Sequence, residues 1–144
     1  MSHECRNFEY IIKLINFAPS KIILLDKMKT EVVFIQALKR EIVFYIGRTQ
    51  SENFDTIDKG GENDLWFHAK DVSSCHVVCE VPDDITSKKD MMYIIKAGAL
   101  LCKSNTNKLK SERNVEIIYT LIKNVTKTAI PGCVTTQNTK IIIC

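Results

Sequence analysis

Leu65-Trp66-Phe67-His68-Ala69-Lys70, then Cys75-His76-Val77-Val78-Cys79-Glu80-Val81, then Ser87 through Lys103: the reading of these consecutive stretches decides the fold. The first two are rich in aromatic and β-branched residues, with Asp71–Ser74 between them as a turn, so they read as neighbouring strands. Pro82-Asp83-Asp84 ends the second, because proline cannot donate to a strand ladder. In the third, Met91, Ile94, Ile95, Gly98, Leu101 and Cys102 fall on one helical stripe. Ser87 can cap its first turn, and Asp90 follows three residues later in a capping-box arrangement. A helix over about 88–103 follows from that pattern.

Working outward, Glu31–Gln36 and Glu41–Ile46 read as two strands joined across Ala37–Arg40, with Gly47 breaking the run. Ser51–Lys59 reads as a short helix closing at Gly60-Gly61. Downstream, Ser104–Asn114 is a polar, basic loop and Val115–Leu121 a strand. Pro131-Gly132 marks a turn, and Cys133–Thr136 with Lys140–Cys144 is expected to form a final hairpin through Gln137-Asn138. Near the start, Phe8, Ile11, Ile12 and Ile15 fit a helical face within 3–17, and residues 22–25 are a short apolar run. The expected class is α+β: a largely antiparallel or mixed sheet of about six to eight strands, one long helix and one or two short ones.

The chain has 144 residues, 45% hydrophobic and 26% charged, the size and balance of one globular domain. Its apolar runs are too short to cross a bilayer, and no secretory leader pattern opens it. The expectation is a cytoplasmic domain without a membrane partner, with Cys5, Cys75, Cys79, Cys102, Cys133 and Cys144 as reduced thiols. The net charge of +3 conceals a distribution. Residues 52–84 carry two basic and nine acidic side chains, and residues 85–127 carry nine basic and three acidic. Such blocks suit two solvated faces, or a basic surface for a polyanion.

Four residues invite a test for metal, His68, Cys75, His76 and Cys79. On a strand Cys75 and Cys79 share a face with Val77 while His76 points the other way, so the ligands do not converge and no metal is expected. The block 63–70 holds the only Trp. There Trp66 and His68 share one face, and Leu65 and Phe67 the other. An aromatic beside an imidazole suits base stacking, although a tryptophan on a sheet also suits the core. His68 and His76 with Asp64 and Ser74 or Cys75 could be assembled on paper into a hydrolase. No nucleophile elbow, HExxH or P-loop supports that, so no catalytic residue is assigned. Lys89, Lys96 and Lys103 recur every seven residues along one helix face, as solubilising decoration or as a phosphate-facing ridge.

Together, Ile46-Gly47-Arg48, Glu52-Asn53, Asp64-Leu65-Trp66-Phe67-His68-Ala69 and His76-Val77-Val78 resemble the signature of the NFACT RNA-binding domain, NFACT-R. The segment Ile94–Ser104, the strand Val115–Thr120, Lys123–Thr128 and Pro131-Gly132-Cys133-Val134 follow in that family's order. The resemblance covers roughly 29–144 and is nearest to the stand-alone eukaryotic branch of coiled-coil domain-containing protein 25. Where larger members carry Pro-Gly-Ser before the second histidine, this sequence has Ser73-Ser74-Cys75. Residues 1–28 match nothing in the signature and are expected to be an extension packed on or leading into the domain.

The resemblance implies a non-enzymatic, cofactor-free RNA-binding module, with tRNA or ribosomal RNA as partner in a translation or ribosome quality-control setting. The ribosome or a quality-control protein are further partners it implies, and DNA is not separated from RNA by the sequence. The motif surface would comprise Arg48, Asn53, Asp64, Trp66, His68 and His76. The basic patch would comprise Lys88, Lys89, Lys96, Lys103, Lys108, Lys110, Arg113, Lys123 and Lys127, making phosphate contacts that position RNA without reading its sequence. Two alternatives stand beside it: a protein-interaction module docking through the acidic 52–84 segment, and a nucleic-acid-modifying hydrolase using His68 and His76.

Overall fold

The computed structural model describes residues 28–144. The helical reading of 3–17 and the run 22–25 lie outside the described residues. The described part begins with an antiparallel hairpin of β1 (Lys29–Ile35) and β2 (Arg40–Gly47), in register Val33 opposite Ile42. Helix α1 (Gln50–Lys59) follows, capped by the Thr49 hydroxyl, which accepts from Glu52 N at 3.2 Å. Next come β3 (Leu65–Ala69), β4 (His76–Cys79) and helix α2 (Lys88–Ser104). The Ser87 hydroxyl accepts from Asp90 N at 3.1 Å, so the Ser87 cap expected from the sequence is present. After α2 come β5 (Glu116–Leu121), a 3-10 turn at Ile122–Asn124, β6 (Val125–Lys127), β7 (Val134–Thr136) and β8 (Lys140–Ile143).

Six strands form one antiparallel sheet in the order β1-β2-β4-β3-β5-β8, and β6 with β7 forms a small second sheet. The class is therefore α+β, as expected. Strand alternation assigns the two faces. Val33, Ile42, Phe44, Phe67, Val77 and Ile117 pack with Ile94, Leu101 and Cys102 of α2 in the main core. A Cβ on Gly98 would come within 2.3 Å of the Phe67 ring, so helix and sheet are as close as a bare backbone allows. On the other face, Trp66 and Val78 pack with Ile57 of α1 and Ile122, and Val125 and Val134 of the small sheet lean on the same cluster.

One expectation is overturned. β7 and β8 do not pair with each other: β7 pairs with β6, and β8 pairs with β5 on the edge of the large sheet. Gln137-Asn138 has turn chemistry, with Asn138 at φ 53°, but the turn carries the chain from one sheet to the other. The Thr120 hydroxyl donates to the carbonyls of Gln137 and Asn138 at 3.0 and 3.2 Å, and Gln137 N donates to Asn124 O at 3.0 Å, which pins the corner.

Candidate nucleic-acid interface

Side chains that lie opposite one another in a sheet share a face. Following the register across five strands places Gly47 opposite His76, His68 opposite Ile118, and Ile118 opposite Ile141. His68 lies one step beyond the Phe67–Val77 pair and so faces His76, with ring centroids 4.9 Å apart. The result is a single row, Gly47, His76, His68, Ile118, Ile141, on the face that carries α1. Exposure rises along it. Gly47 has α1 directly over it: a Cβ there would lie 2.7 Å from the backbone of Glu52 and Asn53. His76 is 3% exposed, His68 and Ile118 are half-buried, and Ile141 is 48% exposed.

The two imidazoles have defined tautomers. Trp66 Nε1 can only donate, and it donates to His76 Nδ1 at 3.2 Å, so the His76 proton sits on Nε2. His68 Nδ1 lies 2.7 Å from the Ala69 carbonyl, which can only accept, so His68 carries its proton on Nδ1 and keeps Nε2 as an acceptor. Burial, then the neighbouring His68, pushes the His76 pKa down to about 3. Burial also lowers the pKa of His68; its bond to Ala69 opposes this, and the charge of Lys108 adds to it. Both rings are neutral near pH 7. Trp66 lies behind His68, stacked on it with centroids 5.7 Å apart and planes 3° from parallel.

The loop after α2 reaches this end of the sheet because Thr106 anchors it. Cys75 N donates to the Thr106 hydroxyl at 3.2 Å, and that hydroxyl donates to Cys102 O at 2.9 Å. The anchor brings Lys108 close enough for its charge to act on His68. Arg48 leaves β2 opposite Cys75. The Cys75 thiol is held below its usual range, chiefly by its hydrogen bond with Cys102 and in small part by Arg48. Ser74, standing where larger relatives of the resembled family have a glycine-containing turn, closes the β3–β4 connection instead: its hydroxyl accepts from Ala69 N and donates to Cys75 O, both at 2.9 Å.

Comparison with known proteins bears directly on this arrangement. The family model for the NFACT protein RNA binding domain matches residues 31–138. The chain belongs to that family. Its relatives include a coiled-coil domain-containing protein 25 homolog of Dictyostelium discoideum, 33% identical over 98 residues, covering 68% of this chain and 48% of the relative. Coiled-coil domain-containing protein 25 of Danio rerio is 33% identical over 85 residues, covering 59% of this chain and 41% of the relative. The chain thus spans less than half the length of these curated relatives. The C-terminal part of the fibronectin/fibrinogen-binding protein of Streptococcus suis has the same fold, with a TM-score of 0.59, 24% identity and coverage of 71% of this chain and 40% of that one.

Within this NFACT-R domain the residues of the sequence signature fall into two groups. Lys108 acts on His68 from the loop after α2, and Arg48 lies at the same end of the sheet, on the Cys75 side. Trp66 (1% exposed) and His76 are inside, so the exposed tryptophan platform that the sequence allowed is absent: α1 covers that part of the face. Asn53 is buried too, its Oδ1 accepting from His76 N at 3.3 Å. Asp64 stands at the opposite end, where its carboxylate accepts from Gly61 N at 2.7 Å and Val81 N at 2.9 Å and ties together two loops. Buried Trp66, His76 and Asn53 fill the space between the sheet and α1 beside the exposed part of the row.

The basic residues of the NFACT-R domain also divide. Lys89, Lys96 and Lys103 do share a helix face, but it is the solvent face of α2, across the sheet from the histidines; Lys88 opens the same helix and is exposed. Lys110 and Arg113 are exposed in the same loop as Lys108. Lys123 lies at the far end, where its N–H donates to Glu62 O at 3.1 Å. Lys127 is ion-paired with Asp58 and sits over the Phe54 ring at 5.2 Å. The two imidazoles share a face, yet Cys75 packs in the α2 core on the other side and the Ser74 hydroxyl is engaged with backbone. No nucleophile therefore stands beside them among the candidates the sequence offered. Sequence reading did not single out Thr106, Ile118 or Ile141, whose relevance depends on cross-strand register.

Proposed function

We propose that this NFACT-R domain is a non-enzymatic module that binds RNA at the end of the sheet that holds Arg48, His68 and Lys108. One observation carries the reading. Arg48, Lys103, Lys108, Lys110 and Arg113 cluster at one end of the sheet and make no ion pair with another described residue; Lys39, Lys88, Lys89, Lys96, Lys123 and Lys140 are unpaired as well, so it is the clustering that marks this end. Unpaired cations gathered at one end are available to phosphates, and family membership supplies RNA as the polyanion. The finer reading is tRNA or ribosomal RNA in a cytoplasmic translation or ribosome quality-control setting, following the large members the signature resembles.

Titrating the domain with fluorescent tRNA at several salt concentrations tests this. Log affinity should fall linearly with log salt, because bound lysines and arginines release counterions from the phosphates. Reversing the charge of both Arg48 and Lys108 should weaken binding and flatten that slope by about 0.7 to 0.9 for each phosphate no longer neutralised. Affinity that ignores salt, or no affinity for RNA, would overturn the reading.

A further inference from the structure

The exposed end of the cross-sheet row is unusual for an edge. β8 reads Lys140-Ile141-Ile142-Ile143, so its alternation sends Ile142 into the main core and leaves Ile141 and Ile143 on the other face, 48% and 60% exposed. Edge strands normally carry charge or proline on an open face, since bare apolar edges invite association. Here isoleucine continues inward through Ile118 to the half-buried ring of His68. The shelf is therefore apolar from Ile141 through Ile118, with the Glu116 carboxylate, paired to Lys70, opposite Ile143 at its margin, and it ends on the His68 ring, against which Trp66 is stacked. Lys108 supplies positive charge close enough to act on the His68 ring, and Arg48 lies at the same end of the sheet but toward the Cys75 side. An apolar floor with positive charge at one end is complementary to one kind of ligand, a planar uncharged ring tethered to phosphates.

We propose that His68, Ile118 and Ile141 seat an unpaired nucleobase of RNA, with an adjoining phosphate held by Lys108. The seat rests on the RNA-binding reading above and narrows it from RNA in general to loops, bulges and single strands. A base in a duplex has its faces stacked on its neighbours and cannot lie on such a shelf; an unpaired base can. His68 contributes in two ways. Its ring face stacks, with Trp66 holding the ring in position from behind. Its Nε2 lone pair, left free because Nδ1 serves Ala69, can accept from an exocyclic amine or a 2′-hydroxyl.

The test compares three RNAs on the full chain: a single strand, a hairpin with an open loop, and a blunt duplex of equal length. The single strand and the hairpin should bind more tightly than the duplex. His68→Ala should loosen the single strand and the hairpin about five- to tenfold, the lower part of the range for base–aromatic stacking, and leave the duplex unchanged. His68→Phe, which keeps a ring, should retain most of the affinity, and Ile141→Ser should act in the same direction as His68→Ala. Circular dichroism and Tm confirm that each variant is folded, and His68→Phe and Ile141→Ser keep the test standing if His68→Ala is not. Equal or better binding of the duplex overturns the seat, as does an equal loss on all three RNAs. If Ile141→Ser instead converts a dimer into a monomer with RNA affinity intact, the shelf belongs to a second copy of the chain and the proposal fails. Absence of binding to every RNA overturns the RNA reading beneath it.

Discussion

Trp66 Nε1 needs an acceptor inside the fold, and His76 Nδ1 provides one only while it is unprotonated. That bond and the surrounding burial set the sign of a pH effect. The ordinary pKa of 6.5 applies to His76 in the unfolded chain, and about 3 in the folded one. Above 6.5 the residue is neutral in both states and its contribution is complete. Between 6.5 and about 3 the unfolded chain binds a proton that the folded chain refuses, so stability falls as pH falls. His68 acts in the same direction. The Tm of the wild type should therefore drop more steeply from about pH 7 to 4 than that of His76→Asn, whose side-chain oxygen can still accept from Trp66. Parallel curves would sink this account. At this scale the sequence shows that Trp66, His68 and His76 share a face, because strand alternation is local. It does not show which of them is exposed, because that depends on where α1 lands, and α1 lands through Gly47.

The meeting of α2 with β3 is the element-scale counterpart. In an isolated helix Gly98→Ala would be favourable by up to about 1 kcal/mol, since alanine loses less backbone entropy. Here the added methyl would lie 2.3 Å from Phe67 Cζ, so overpacking should dominate and cost about 1 to 3 kcal/mol. Urea denaturation measures it; a stabilised variant would show that the sheet yields more readily than the packing indicates. Among the described residues, both α-helices and the first five strands are legible from periodicity and caps, with ends shifted by a residue or two. Cys75–Val81, for example, narrows to His76–Cys79, because Cys75 N is committed to Thr106 and not to a neighbouring strand. The last two strands are legible as well, but not their partners. Turn residues look the same whether the chain doubles back or passes to another sheet. The choice is made by distant Thr120 and by room beside β5.

Across the whole molecule, the acidic and basic blocks of the sequence do not become two faces. Charge is only partly sorted along the strands. Arg48, Lys103, Lys108, Lys110 and Arg113 gather where β2 and β3 end and β4 and β5 begin, against Asp71, Glu112 and Glu116, while Asp64, Glu80, Asp83 and Asp84 lie toward the other end with Arg40, Lys88, Lys89 and Lys123. Single substitutions should reveal this polarity. Lys108→Glu should weaken RNA binding severalfold, the scale of removing one phosphate partner. Lys127→Ala should leave it near wild type, since Lys127 is already engaged by Asp58. Comparable losses from both would mean that RNA contacts the small sheet as well. The site is only partly legible for the same reason. Arg48, His68 and Lys108 are 20 and 40 residues apart in sequence, and only the register of β2, β4 and β3 together with the Thr106 anchor brings them to one end.

The strand order has a kinetic side as well. β1 and β2 form from neighbouring sequence and can zip early, but the apolar face they build from Val33, Ile42 and Phe44 is covered by α2, which lies more than 40 residues downstream. β3 in turn waits for β5, with the whole of α2 between them. A chain emerging from its N-terminus therefore carries an unroofed hairpin through much of its own synthesis, when sticky strands are most exposed to wrong partners. Its high-separation pairings also predict folding in milliseconds to seconds, well behind a helical bundle of the same length.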